Sequence, residues 1–453
     1  MATSREMTAG PALPLIFNFT MPLLLGNLLQ QTYSLVDAAI VGKFLGINAL
    51  AAVGASSSVI FLILGFCNGC SCGFGIPVAQ KFGARDYVMM RRYVAVSLQL
   101  SLVMSVMIAL ITSIYCADIL RIMRTPENIF EGAYAYLLVT FIGVPCTFLY
   151  NLLSSIIRAL GDSKTPFWFL LFSTILNIIL DLFCILVLKW GVLGAAIATV
   201  FSQGISALLC YVYMYRHFQI LKGEAKEHKF QLHLARTLLN IGVPMGLQFS
   251  ITAIGSMVMQ SANNGLGSVC VSGFTAGMRI KQFTMCPFDA IGTAASVFCS
   301  QNYGAAKPDR IRKGLWQSML VAVVYGIVAG LIMIFAGRTL SMIFVGKEAV
   351  DVLDASGKYL RCMGFFYWSL GILNISRMVT QGLGYPMRAV ISGVTEMLAR
   401  SIVSLCFVGS LGYTAICFAD QTAWVSACFY IFPTCLYCVH KTTKKLMKQQ
   451  NVQ

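Results

Sequence analysis

Long apolar stretches of about twenty residues or more, separated by short polar turns, recur along the whole 453-residue chain and leave it little choice of fold. A hydrocarbon layer about 30 Å thick needs roughly 20 helical residues per crossing, and in lipid a helix satisfies its own backbone donors and acceptors. The spacing predicts twelve helices, over 14–43, 48–78, 93–116, 132–157, 166–188, 191–215, 237–265, 270–299, 315–336, 357–380, 387–409 and 412–439. Composition agrees: 58% of residues are hydrophobic and only 11% charged, where soluble domains carry about 25% charge. The expected class is an all-α integral membrane protein. The opening "MATSREMTAG" is polar and no small-residue cleavage site follows it, so a removable signal peptide is not expected.

A net charge of +16 raises nucleic acid as a partner, but the distribution argues otherwise. Basic residues gather in alternate loops: Lys81, Arg85, Arg91 and Arg92; Arg158 and Lys164; Lys222, Lys229 and Arg236; Lys307, Arg310, Arg312 and Lys313; and the tail Lys441, Lys444, Lys445 and Lys448. By the positive-inside rule these loops and both termini are cytoplasmic. The charge is a topology signal, and the expected location is the cell membrane.

The chain also repeats itself at an offset of 221 to 223 residues. "FNFTMPLLLG" (17–26) resembles "LNIGVPMGLQ" (239–248), "VAQKFGARD" (78–86) resembles "CSQNYGAAK" (299–307), and "RALGDSKTP" (158–166) resembles "TQGLGYPMR" (380–388). An even number of helices per repeat keeps both copies in one orientation, related by an axis along the membrane normal. The expectation is two pseudo-symmetric six-helix lobes around a central cleft: 1–215 and 237–453, joined by a cytoplasmic linker at 216–236.

Ionised side chains at mid-membrane cost about 2.5–3.5 kcal/mol on insertion scales, so each needs a reason. In the first lobe they are Asp37 and Asp181, and Asn177 shares a helical face with Asp181 four residues on. At about 1.5 Å per residue, Asp37, Asp181, Thr199 and Tyr136 all fall roughly 8–14 Å below the outer surface. Such an oxygen-rich set suits a hard monovalent cation, or a proton shared between carboxylates. Cross-helix hydrogen bonding for packing alone is the alternative. Pro22, fifteen residues before Asp37, interrupts the first helix and serves as a hinge or as a static kink. In the second lobe Glu396 and Arg400 stand four apart and are expected to form a structural ion pair. In the seventh span Gln248, Met257, Met259 and Gln260 are candidates for lining a cavity, since methionine adapts to varied ligands.

Cys67, Cys70 and Cys72 have a metal-like spacing, but they lie within a predicted helix with no histidine nearby and read as small hydrophobes. No phosphate-binding loop and no histidine at a matching depth supports an intramembrane transferase, so an enzyme is not expected.

The helix pattern "P…Q.TYSLVDAAIVGKFLG", the paired "Q.FGA"-like turns and the two six-helix lobes resemble the multidrug and toxic compound extrusion (MATE) family over nearly the whole chain. Within it the chain is most similar to the DinF-like branch. That resemblance implies a coupling-ion site (H⁺ or Na⁺) at Asp37, Asn177, Asp181 and Thr199, a cargo cavity touched by Tyr136 and Asn151, and bending at Pro22. The NorM-like branch instead uses acids in helices 7 and 10, which have none here. The resemblance implies antiport of organic cations or drugs by a monomer surrounded by membrane lipids, with no cofactor beyond the coupling ion. A flippase of lipid-linked precursors, favoured by Arg279, Lys281, Arg377 and Arg400, is the alternative.

Overall fold

The computed structural model describes residues 6–450 apart from 124, 225, 226 and 228, and every regular element among them is helical. In chain order these are α1 (Ala12–Leu45), α2 (Ile47–Gly83), α3 (Tyr87–Ile114), α4 (Cys116–Ile122), α5 (Glu127–Ile142), α6 (Val144–Ala159), α7 (Lys164–Leu182), α8 (Gly191–His217), α9 (Leu232–Asn264), α10 (Ser268–Gly304), α11 (Pro308–Ser341), α12 (Val350–Gly382), α13 (Pro386–Cys406), α14 (Val408–Leu411) and α15 (Tyr413–Gln450). Among the described residues nine helices are long and apolar enough to cross a membrane, and α5 with α6 makes a tenth. The more polar α10 and α12 complete the twelve predicted spans.

Three spans differ from their sequence reading. The fourth is not continuous: α5 and α6 meet at Gly143 with a bend of 47°. Pro145 cannot donate into the preceding turn, and a Cβ on Gly143 would collide with Val200 of α8, so the break is built into the contact. The fifth leaves α-geometry after Leu182 and continues as a π-helical turn, Phe183–Val187. The twelfth carries on to Gln450, which makes the basic tail helical.

The repeat is written into the backbone. Gly46 and Gly267 precede α2 and α10 with φ of 85° and 93°, and Arg85 and Ala306 end the following turns with φ of 57° and 53°. Left-handed backbone is unusual for a residue with a side chain. Its recurrence at matching positions therefore marks one turn geometry used twice.

The contacts divide the chain into two compact units: unit 1 is Leu25–Gly246 with Glu6, and unit 2 is Met7–Leu24 with Leu247–Gln453. This departs from the expected boundaries. The crossings fall inside α1 and α9, each just after an internal proline, Pro22 or Pro244. Residues of the expected 216–236 linker also pack in unit 1: Leu221 is buried, and Arg91 pairs with Glu227 and donates to the Ile220 carbonyl. Of that linker, residues 225, 226 and 228 lie outside the described residues.

Within unit 1, Gly69 and Gly73 of α2 lie against Gly246 and Gly242 of α9, where an added Cβ would come within 2.7 and 2.6 Å of the facing Cα. Small residues four apart allow this approach, a device that replaces the hydrophobic effect inside lipid. Unit 2 closes around aromatic contacts, with Tyr367 edge-on to both Phe288 and Trp424. Helices on the rim expose only apolar side chains along one face: Leu102, Val106, Leu110 and Ile114 on α3, and Leu320, Ile327, Leu331 and Phe335 on α11. Such faces suit contact with acyl chains.

Candidate functional site

Four helices of unit 1 converge on the two carboxyls. The α7 helix presents Asn177 and Asp181 one turn apart, at 2% and 0% exposure, immediately before the π turn. Asp37 comes from α1, Thr199 from α8 and Tyr136 from α5. The carboxyls of Asp37 and Asp181 stand close enough to act on each other. Asn177, with its amide turned to match its neighbours, donates through Nδ2 to Asp181 Oδ2 at 2.9 Å and to Tyr33 Oη at 3.0 Å. Its Oδ1 accepts from the Thr199 backbone N–H at 3.0 Å and from Thr199 Oγ1 at 3.2 Å. Tyr33 Oη and Thr199 Oγ1 lie 3.2 Å apart. Tyr136 packs with Ile40, Val41, Ile185 and Ala195 and stands within electrostatic reach of both carboxyls.

Two features define the chemistry. Asp37 Oδ1 and Asp181 Oδ1 are buried and receive no hydrogen bond from a protein donor. Among the described residues, no basic side chain acts on either carboxyl. An ionised carboxylate only accepts, so two neighbouring carboxylates repel unless a proton or a cation lies between them. The sequence missed Tyr33, although it stands four residues before Asp37, on the same face of α1.

The other expected residues are distributed differently. Asn151 is half-buried on α6, and no described hydrogen bond ties it to the cluster. Gln248 does not line an open surface: it is buried in unit 2 and its Oε1 accepts from Gln381 Nε2 at 2.7 Å. Met257 is 40% exposed, Gln260 donates to Asn264 at 2.9 Å, and Met259 is buried in the core. Pro22 lies within an α1 that runs unbroken from Ala12 to Leu45.

Unit 2 holds its charges in a different manner. Glu396 accepts from Arg400 Nη2 and from Arg377 Nη2, each at 2.8 Å, so the expected pair is part of something larger. Arg400 Nε lies 3.0 Å from Asp420 Oδ1, while Asp420 Oδ2 accepts from Lys281 and from Tyr359 Oη. Beside Arg377, Asp289 accepts from Asn374 Nδ2 at 2.9 Å. The members come from α10, α12, α13 and α15. Asp351 and Asp354 lie in the first turns of α12, where Asp354 accepts from Arg338 at 2.6 Å.

A repeat of apolar helices long enough to cross a membrane, with a pair of carboxyls set among them, is the architecture of a multi-pass membrane protein. The MatE family model matches residues 22–183 and again 244–407, the two matches starting at the paired Pro22 and Pro244, and the chain belongs to that family, the MATE transporters. It is 30% identical to the probable multidrug resistance protein YpnP of Bacillus subtilis (strain 168), over 85% of this chain and 86% of that one. It is 32% identical to YoeA, another probable multidrug resistance protein of that organism, over 74% of each chain. A solved structure described as the outward-facing conformation of a multidrug resistance MATE family transporter superposes with a TM-score of 0.91. It does so at 21% identity, over 98% of this chain and 99% of that one, and it establishes the fold alone.

Proposed function

We propose that this protein is an antiporter of the cell membrane, with both termini cytoplasmic. In this reading it exports small organic molecules, organic cations and drugs among them, as a monomer. The coupling ion, H⁺ or Na⁺, is bound by Asp37, Asn177, Asp181 and Thr199, with Tyr33 completing the set. The observation that carries this reading is the approach of two carboxyls that lack a basic partner, Asp181 fully buried and Asp37 half-buried with its Oδ1 enclosed. Two like charges about 4 Å apart repel by roughly 4 kcal/mol at an effective dielectric of about 20. A proton or a sodium ion removes that repulsion, so the geometry of the cluster depends on occupancy.

Occupancy becomes transport through a change of state. Alternating access exchanges ion for cargo only when the two ligands favour different states, because a ligand shifts an equilibrium no further than its differential affinity. Pro22 is the proposed hinge through which occupancy at Asp37 alters α1. The flippase reading loses much of its support, since Lys281, Arg377 and Arg400 are each engaged by a carboxylate.

The test is efflux from liposomes holding the purified protein, using a fluorescent organic cation under an imposed pH or sodium gradient. Wild type is expected to respond to one gradient, and Asp181→Asn to lose that response about ten- to a hundredfold, the value of a charge-assisted interaction. Undiminished coupled efflux in both Asp37→Asn and Asp181→Asn would falsify the assignment.

A further inference from the structure

We propose that Arg279 is a cargo-recognition residue for an anionic group, a carboxylate or phosphate, so that the cargo of this transporter includes organic anions or zwitterions. The proposal takes its direction of transport from the exporter reading above, but the binding it predicts stands independently.

The argument starts from the exposed face of α10. Ser272, Thr275, Arg279 and Gln282 recur at three- and four-residue steps and are all exposed, while Gly273, Phe274, Gly277, Ile280 and Lys281 on the opposite side are buried. Spacing of this kind forms one stripe along a helix. Arg279 lies twelve residues beyond Gly267, about 18 Å along the axis, so the stripe runs well into the helix.

The same molecule shows what a lipid-facing stripe looks like. On α11 it reads Leu320, Ile327, Leu331 and Phe335; on α3 it reads Leu102, Val106, Leu110 and Ile114. A face of Ser, Thr, Arg and Gln is the opposite chemistry, and burying it in hydrocarbon would cost about 2.5–3.5 kcal/mol for the arginine alone. The α10 stripe therefore faces water. Its counterpart in the repeat carries no charge: Ala51, Gly54, Ser58 and Phe61 occupy the corresponding positions on α2.

Partnering separates Arg279 from the interior basic groups in the spans of unit 2, and its polar stripe separates it from Arg361 of α12, which also lacks a hydrogen bond or ion pair among the described residues but stands on a face that continues as exposed Phe365 and Trp368. Lys281, Arg377 and Arg400 each meet a carboxylate. Lys358, nearer the outer end of α12, donates to Thr414 Oγ1 at 2.6 Å. Arg279 has no hydrogen bond or ion pair among the described residues, and its stripe holds no acid. A free guanidinium presents a planar fork of donors that matches carboxylate and phosphate oxygens two at a time. Thr275 and Gln282, one turn to either side, offer further polar contacts to the same ligand. A cation in this position would instead meet repulsion.

The experiment measures equilibrium binding to the full-length protein in detergent, by fluorescence anisotropy, with carboxyfluorescein as the anionic probe and ethidium as the cationic one. Wild type is expected to bind carboxyfluorescein, and Arg279→Gln to weaken that binding about tenfold, the value of one charge-assisted contact. Arg279→Lys should fall between them, because it keeps the charge and loses the fork. Ethidium binding should not weaken in either variant. Arg361→Gln removes another exposed arginine, on α12, and should leave both probes unchanged. No carboxyfluorescein binding by wild type, or equal affinity in wild type and Arg279→Gln, overturns the proposal. So does an equal loss in Arg361→Gln, which would mark a diffuse charge effect. Because no gradient is involved, failure of ion-coupled efflux would sink the exporter reading and leave this one standing.

Discussion

Asp181 in unit 1 and Asp420 in unit 2 are both fully buried carboxylates on membrane-spanning helices, and their surroundings are opposite. Asp420 meets Lys281, Arg400 and the Tyr359 hydroxyl; Asp181 meets Asn177 and a second carboxyl. With Glu396 and Asp289 set against Arg377, the three acids and three bases of this network balance without help from outside. On the pair in unit 1 no basic side chain acts among the described residues. A compensated cluster holds a fold together, whereas an uncompensated one favours the binding of a proton or a cation. The repeat supplied two copies of one scaffold, and the placement of basic side chains separated a structural centre from a candidate coupling site.

The largest effect should come from breaking the compensated side. Glu396→Ala leaves the guanidiniums of Arg377 and Arg400 without the carboxylate between them, and removing one partner of a buried ion pair costs about 3–5 kcal/mol. A marked fall in unfolding temperature, followed in detergent with a thiol-reactive dye, is the expected result. Asp181→Asn in the same assay should show little loss, since an amide keeps the shape and removes the repulsion. Equal destabilisation by both substitutions would erase the distinction between the two regions.

A smaller effect concerns a candidate cavity residue that the structure buries. Gln248 was a candidate cavity residue, yet it is buried against Gln381, and Gln248→Ala leaves the Gln381 amide without its acceptor at a cost of about 1–3 kcal/mol. Gln260→Ala, near the end of α9, should change stability by no more than about 0.5 kcal/mol. If the two lower the unfolding temperature alike, the burial of Gln248 does not carry the weight given to it.

These differences show where sequence reading stops. Spans and repeat were legible because lipid forces a length and a composition on every crossing. The Asp37, Asn177, Asp181 and Thr199 set was legible because charge in an apolar run is rare, and depth along a helix can be counted. The network in unit 2 was only half legible: the four-residue spacing of Glu396 and Arg400 exposed one pair, but Lys281 and Asp420 are 139 residues apart and no local pattern joins them. The crossings inside α1 and α9 left no mark beyond Pro22 and Pro244, since a helix that changes partners keeps its hydrophobic run intact.

Tyr33 is the sharpest case, because a tyrosine in an apolar helix reads as packing. Its hydroxyl nevertheless touches Asn177 and Thr199, so it orders both the amide that serves Asp181 and the hydroxyl beside it. Tyr33→Phe removes one neutral hydrogen-bonding group and nothing of the ring, a change worth about 0.5–1.5 kcal/mol. If the cluster binds the coupling ion, that loss should raise the proton or sodium concentration needed for half-maximal efflux by about three- to tenfold, while the maximal rate and the unfolding temperature stay near wild type. A shift in unfolding temperature with no shift in ion dependence would place Tyr33 on the structural side of the comparison, with the network of unit 2, and would leave Asp37 and Asp181 to bind the ion without it.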